Sequence, residues 1–266
     1  MTVFLSKRNN QFKMSITTIA PSETVTFALL SSNDETVYWG DGNFQTISQD
    51  AEGNYNSPHT YAEVGTYNVV IDKPQRLLVF YISGVNGAYI GAGEIRKLKN
   101  LERLEISHPP TGEEWDITTE KGELNSLSEL KILAIDSCPN VDLSDGCIQD
   151  LMNLQEFDVF NKTNIGVLPS EFANKPKLTT FNIYNCGLTE ELQEGIIQVI
   201  YDNRMLYTGA GAYWDFTLDF QDIPWIPPPP PNNAYVSAHT IELFDILKND
   251  PLEEGFIKWD GYLNEA

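Results

Sequence analysis

Apolar and polar positions follow two different regimes along the chain. Up to about residue 72, "ETVTFALL", "ETVYW" and "GTYNVVI" carry β-branched and aromatic residues in partial alternation. That period of two predicts half-buried strands. Turn-forming clusters separate them, at Ser31-Ser32-Asn33-Asp34, Gly40-Asp41-Gly42-Asn43 and Gly53-Asn54. Short strands at this spacing predict a β-sandwich. Beyond it the pattern becomes a repeat. "LLVFYIS" from Leu77, "LERLEIS" from Leu101, "LKILAID" from Leu130, "LQEFDVF" from Leu154 and "LTTFNIY" from Leu178 align in steps of 24, 29, 24 and 24 residues. Each has the form L-x-x-[LF]-x-[IV]-x, the strand half of a leucine-rich repeat with a period of about 20–29 residues.

The repeat has a simple physical meaning. One unit cannot bury its apolar side alone, and stacked units share a continuous core. Leu101, Leu104 and Ile106 point inward, as do Leu130, Leu133 and Ile135. The intervening positions then face outward on a concave sheet. One outward column reads Tyr81, Glu105, Ala134, Asp158, Asn182, and the next Ser83, Ser107, Asp136, Phe160, Tyr184. Tyr81, Glu105, Asp136, Asp158, Phe160, Asn182 and Tyr184 are the candidate partner-binding residues. Aromatic faces supply contact area, while acids and amides supply orientation, which suits a protein or glycan ligand. The competing expectation is a solvated face without a ligand. The longer step holds "HPPTGEEWDITTEKGE", expected to bulge from one edge, and "IRKLKN", "LNSLSE", "LMN" and "ANKPK" are the descending turns that feed the strands.

An end cap is expected next. In "LTEELQEGIIQVIYDN", Thr189 is a plausible N-cap, Glu190 and Glu191 suit the positive helix start, and Leu192, Ile196, Val199 and Ile200 share one face. "YWDFTLDF" then predicts a closing strand at the sheet edge. Pro227 to Pro231 form a stiff polyproline II rod. Past it, Ile241, Phe244 and Leu247 recur at helical spacing before the aromatic "EGFIKWDGYL". Trp225, Ile241, Phe244, Leu247, Phe256 and Trp259 are the contact residues of a docking arm, unless the segment folds back on its own repeats. The expected division is 1–73 for the sandwich, 74–222 for the repeats with their cap, and 223–266 for linker and arm.

Composition narrows the partners. The 17 basic and 38 acidic residues give a net charge of −21, which disfavours nucleic acid and anionic membrane surfaces. No apolar run approaches the length of a membrane span. The apolar start ends at Leu5, with charges at Lys7 and Arg8, so no export signal is expected and synthesis in the cytoplasm is. Cys138, Cys147 and Cys186 lack metal or disulfide spacing and are expected to be buried thiols. Phosphate-loop, nucleophile-elbow and zinc-protease motifs are missing, so no cofactor, metal or catalytic residue is expected. His59 is expected to be packed, since no nucleophile accompanies it. Asp41 is a poor calcium site alone, because calcium takes six to eight oxygens. Glu156 and Asp158 could be taken for a glycosidase pair, but alternate residues on one sheet face easily give two carboxylates.

Trp39, Gly40, Asp41, Gly42, His59, Tyr61, Gly65, Tyr67 and Val69 resemble the signature of PKD-type immunoglobulin-like domains, with the Trp placed directly against the Gly. The resemblance covers about a quarter of the chain and implies a non-catalytic spacer or adhesion module. The full expectation is mainly β: a PKD-type sandwich, then a leucine-rich-repeat solenoid with a helical cap and a proline-rich arm. This arrangement resembles small repeat proteins of Bacteroidetes and their tailed phages. It implies a virion structural or adhesion protein assembled in the host cytoplasm, with other virion proteins and a host-surface glycan or protein as partners. The alternatives are a bacterial cell-surface repeat protein and, more remotely, a glycosidase.

Overall fold

The computed structural model describes residues 10–47, 56–83, 85, 87–107, 116–138, 140–144, 146–160, 169–184, 186, 190–203 and 215–218. The chain is mainly β, with a β-solenoid-like region. Its strands are β1 (Phe12–Thr18), β2 (Glu23–Ser31), β3 (Glu35–Tyr38), β4 (Phe44–Ile47), β5 (Asn56–Tyr61), β6 (Gly65–Ile71), β7 (Leu77–Ser83), β8 (Gly87–Ile90), β9 (Arg103–Ser107), β10 (Asp116–Ile117), β11 (Ile132–Asp136), β12 (Glu156–Phe160), β13 (Thr180–Tyr184) and β14 (Asp215–Leu218). One helix, α1 (Glu190–Asn203), lies between the last two.

Two sheets contain all of them. The smaller has the order β10-β8-β1-β6-β3-β4, and the larger β14-β13-β12-β11-β9-β7-β2-β5. Each of the five repeated apolar pieces holds a strand of the larger sheet, and these strands pair in parallel. The first of them, β7, also pairs antiparallel with β2 of the N-terminal segment. On the other layer, β8 pairs with β1. The chain therefore passes residue 73 with both sheets continuing across it. The apolar core continues too: Phe12 packs edge-on against Phe80 at 5.3 Å between ring centroids, and a single buried cluster extends from Phe12 to Ile196.

The inward leucines fill that core as their spacing requires. Leu101, Leu104, Leu130, Leu133, Leu154, Phe157, Leu178 and Phe181 are all buried. Short 3-10 turns at Ile95–Lys97, Leu124–Ser126 and Pro169–Phe172 lead towards β9, β11 and β13. Within the predicted insertion, residues 108–115 lie outside the described residues, while Asp116 and Ile117 form β10 beside β8. Thus the middle of that insertion joins the smaller sheet. In α1, Ile196 is buried and Leu192 and Val199 pack against the core. Thr189 lies outside the described residues, and so does the arm from residue 219 onward.

A second repeat accompanies the leucines. Gly-Glu-Ile at 93–95, Gly-Glu-Leu at 122–124, Gly-Cys-Ile at 146–148 and Ser-Glu-Phe at 170–172 occupy equivalent places before the 3-10 turns. The three glycines have φ of +85°, +71° and +85°, a conformation that side chains with a Cβ avoid. Each Glu reaches back to the preceding coil. Glu123 accepts hydrogen bonds from the amides of Gly93 at 2.9 Å and Arg96 at 3.1 Å. Glu171 accepts from the amides of Gly146 and Ile148, both at 3.0 Å. Glu94 accepts from the Lys13 amide of β1 at 2.7 Å, linking the ladder to the N-terminal layer. The first amides of a helical turn have no partner within it, and a carboxylate acceptor supplies a charge-assisted one.

Lys175 breaks the apolar pattern at the place that Leu98, Leu127 and Leu151 fill in earlier coils. It is fully buried, and its Nζ donates to the Gln149 carbonyl at 3.0 Å. Burial pushes its pKa down, and the Glu171 and Asp150 carboxylates oppose that. Removing one member of a buried charged set leaves its partners uncompensated and costs about 3–5 kcal/mol in many proteins. Lys175→Leu is therefore expected to lower the urea midpoint although it fills the volume, because the Gln149 carbonyl loses its donor and Glu171 a neighbouring cation. Lys175→Ala adds a cavity to that loss and is expected to lower the midpoint further. An unchanged midpoint for the Leu variant would remove the charged contact from this role.

Candidate binding face

Strand register turns the predicted columns into real rows. Tyr81, Glu105, Ala134, Asp158, Asn182 and Thr217 are successive partners across β7, β9, β11, β12, β13 and β14. The row continues the other way through Ala28 of β2 and Asn56 of β5. At about 4.8 Å per strand it is roughly 34 Å long. The second row places Ser83, Ser107, Asp136, Phe160 and Tyr184 side by side. The two rows lie about 7 Å apart, two residues along each strand. The alternating buried and half-buried pattern of β9, β11 and β12 keeps these residues on the open side of the sheet. Tyr81, Glu105, Asp136, Asp158, Phe160 and Asn182 therefore share one side of one sheet, and Tyr184 holds the matching register position on β13. Trp225, Ile241, Phe244, Leu247, Phe256 and Trp259 lie outside the described residues.

Neighbouring groups hold the face's polar side chains in place. Arg103 pairs with Glu105 two residues along the same strand. Asn182 Nδ2 donates to Asp158 Oδ1 at 2.8 Å. Ser137 Oγ donates to Asp136 Oδ1 at 2.9 Å, and Ser107 Oγ to its other oxygen at 3.5 Å. Each carboxylate thus has a fixed orientation. Arg103 carries no signal in the sequence, because it begins β9 at a position outside the two outward columns. Ala28 and Asn56 were missed because antiparallel pairing to β7 leaves no trace in a repeat period.

The Trp-Gly-Asp-Gly turn offers a second cluster. His59 Nε2 and Asp41 Oδ2 lie 2.8 Å apart. Asp41 also accepts hydrogen bonds from the Asn43 amide and the Asn43 side chain, each at 2.9 Å. The His59 ring stacks on Trp39 at 4.7 Å and meets Tyr61 edge-on at 4.6 Å, and Tyr61 stacks on Tyr67 at 4.1 Å. The Tyr61 hydroxyl donates to the Trp39 carbonyl at 3.0 Å, and burial pushes its pKa up. Gly40, at φ +88°, admits no side chain, since a Cβ there would meet the Asn68 backbone at 2.7 Å. These bonds fasten the corner between β3 and β5. Among the described residues no group of three or more His, Cys, Asp or Glu is placed to hold a metal ion.

Comparison with protein families, curated proteins and solved structures finds no match. What the face can do must come from its own chemistry. It is a platform of half-exposed aromatic, hydroxyl, amide and carboxylate groups along a rigid sheet. Glu105, Asp136 and Asp158 are each tied to a neighbouring side chain.

The three thiols are buried. Burial, with Asp136 beside it, pushes the Cys138 pKa up to about 12. Cys138 Sγ donates to the Asp136 carbonyl and Cys186 Sγ to the Val159 carbonyl, at 3.2 and 3.3 Å.

Asp41 gives this region a definite pH dependence. Burial acts to raise its pKa, and the Asn43 bonds and His59 outweigh that, so the folded value lies below 3.8. A lowered folded pKa contributes stability that is complete above the unfolded value and lost as pH falls through the folded one. Asp41→Ala is expected to cost about 1–3 kcal/mol at pH 7. The gap to the unsubstituted protein should narrow in urea titrations taken below about pH 4. A gap that stayed constant to pH 2 would remove the carboxylate from this role.

Proposed function

We propose that the chain is a non-enzymatic structural and adhesion component of a tailed-phage virion, working by docking other proteins along the open face of its larger sheet. In this reading residues 1–73 are a PKD-type immunoglobulin-like domain, residues 74–222 a leucine-rich-repeat domain, and residues 223–266 a docking arm. The observation that carries the reading is the in-register row from Asn56 to Thr217, which makes one platform out of both parts of the chain.

Further features support the two domain assignments. A layer of β1, β6, β3 and β4 faces a layer of β5, β2 and β7, with Trp39 packed on Phe27 between them at 5.5 Å. The Trp39, His59, Tyr61 and Tyr67 stack joins the residues that carry the PKD resemblance. Cys138 and Cys186 each follow the first leucine of their repeat by eight positions, where a leucine-rich repeat places Asn or Cys. The phage setting rests on the resemblance of the whole arrangement, together with an acidic chain that suits dense display.

Cryo-electron microscopy and native mass spectrometry of phage particles from the source test the reading. The expected result is a fixed copy number within the virion, with the open face against a neighbouring protein. A free monomer in the host lysate, missing from particles, would overturn it. Joint Tyr81→Ala and Phe160→Ala substitution is expected to weaken incorporation by tenfold or more, on the order of 1–2 kcal/mol per buried aromatic contact. The melting temperature should hold, since both side chains are only half-buried.

A further inference from the structure

Among the described residues the strands at the four sheet ends are not alike, and β14 begins with a charged residue, Asp215. In the larger sheet, β5 carries Pro58, which has no amide to offer a new neighbour. At the far end of the smaller sheet, β10 is two residues long. Strand β4 is different. It is the last strand on its side of the smaller sheet among the described residues, and it reads Phe-Gln-Thr-Ile without charge or proline. Phe44 is 67% exposed, the highest value among the exposed large hydrophobic residues.

The open hydrogen-bonding groups of β4 follow from its pairing with β3. The Trp39 amide donates to the Asn43 carbonyl at 3.0 Å. In an antiparallel ladder, hydrogen-bonded pairs alternate with non-bonded ones. Gln45, opposite Val37, and Ile47, opposite Glu35, therefore direct their backbone groups towards β3. Phe44 and Thr46 direct theirs outward, where a further strand would lie.

From this geometry we propose that the β4 edge is a self-association surface, at which two copies of the chain pair antiparallel across a twofold axis through Gln45. Opposed residues of an antiparallel pair must lie on the same side of the sheet. Pairing Phe44 with Thr46 of the second copy meets that condition and uses every outward backbone group of both residues. Gln45 then faces its own counterpart in a non-hydrogen-bonded pair, with Cα atoms about 4.5 Å apart. The two Phe44 rings lie on one face beside the axis, near Tyr38, which already contacts Phe44 at 6.3 Å between centroids. An isologous pair of this kind closes on itself, so it yields a dimer and no fibre. Two four-residue strands bury far less than the ~1,600 Å² of a standard interface. The dimer is accordingly weak, and two sites held on one assembly would strengthen it through effective concentration.

Disulfide trapping of the full chain tests this pairing. The native cysteines are buried, so Gln45→Cys supplies an accessible thiol whose partner lies within disulfide reach only in the stated register. Under mild oxidation at high micromolar protein, it is expected to give a cross-linked dimer well above a Thr66→Cys control on an inner strand of the same sheet. In sedimentation velocity, the unsubstituted chain should sediment faster as concentration rises. Phe44→Lys should abolish both signals with an unchanged melting temperature. That substitution also reduces the net negative charge, which by itself favours association, so its loss reports on the edge. Cross-linking no greater than the control, or a monomer at all concentrations, overturns the proposal. So does association that persists in Phe44→Lys.

Discussion

A half-made coil cannot bury its own apolar side, and strand β7 is where this constraint is met for the whole molecule. Its one edge pairs with β2, its other with β9, and its inner face sets Phe80 against Phe12. Without it, β2 would expose an open row of amides and carbonyls, and the first coil would present its leucines to water. Either exposure costs more than a small domain's margin of stability. The N-terminal layers thus serve as the cap that every repeat array needs at its start. At the other end α1 supplies apolar cover through Ile196, while β14 extends the sheet.

In the proposed reading, this continuity is what fits the open face for recognition. Side chains on a shared sheet keep their spacing because the register is fixed by the buried leucines one residue away. Glu105, Asp136 and Asp158 are further held by Arg103, Ser107 and Asn182. A partner would meet groups already ordered, which lowers the entropy lost on binding. On the coil turns, buried Glu123 and Glu171 pair with backbone amides and so belong to the scaffold. Much of the acidic charge therefore has different work on different faces.

The Trp-Gly-Asp-Gly corner belongs to the scaffold as well. His59 and Asp41 have the distance of a reactive dyad, but Asn43 occupies both Asp41 oxygens and the His59 ring is clamped between aromatic side chains. The same residue types that suggest chemistry in isolation become a fastening when both oxygens of the acid are matched locally.

Periodicity alone determined where the repeat strands lie, which leucines point inward and which side chains share a row. Those follow from one residue's relation to its near neighbours, which sequence spacing encodes. The Gly-Glu ladder was equally present in the chain, but its meaning depends on amides some 25 residues upstream, in the preceding coil. Lys175 stands in a leucine's place because the Gln149 carbonyl lies beside it, a neighbour that only the fold brings there. The joining of β7 to β2, the entry of β8 and β10 into the other sheet, and the place of β4 as the last strand on its side among the described residues were decided by tertiary structure alone. Strand partners across such separations are chosen by which apolar faces and unpaired backbone edges remain to be covered, a condition of the whole fold that no local pattern carries.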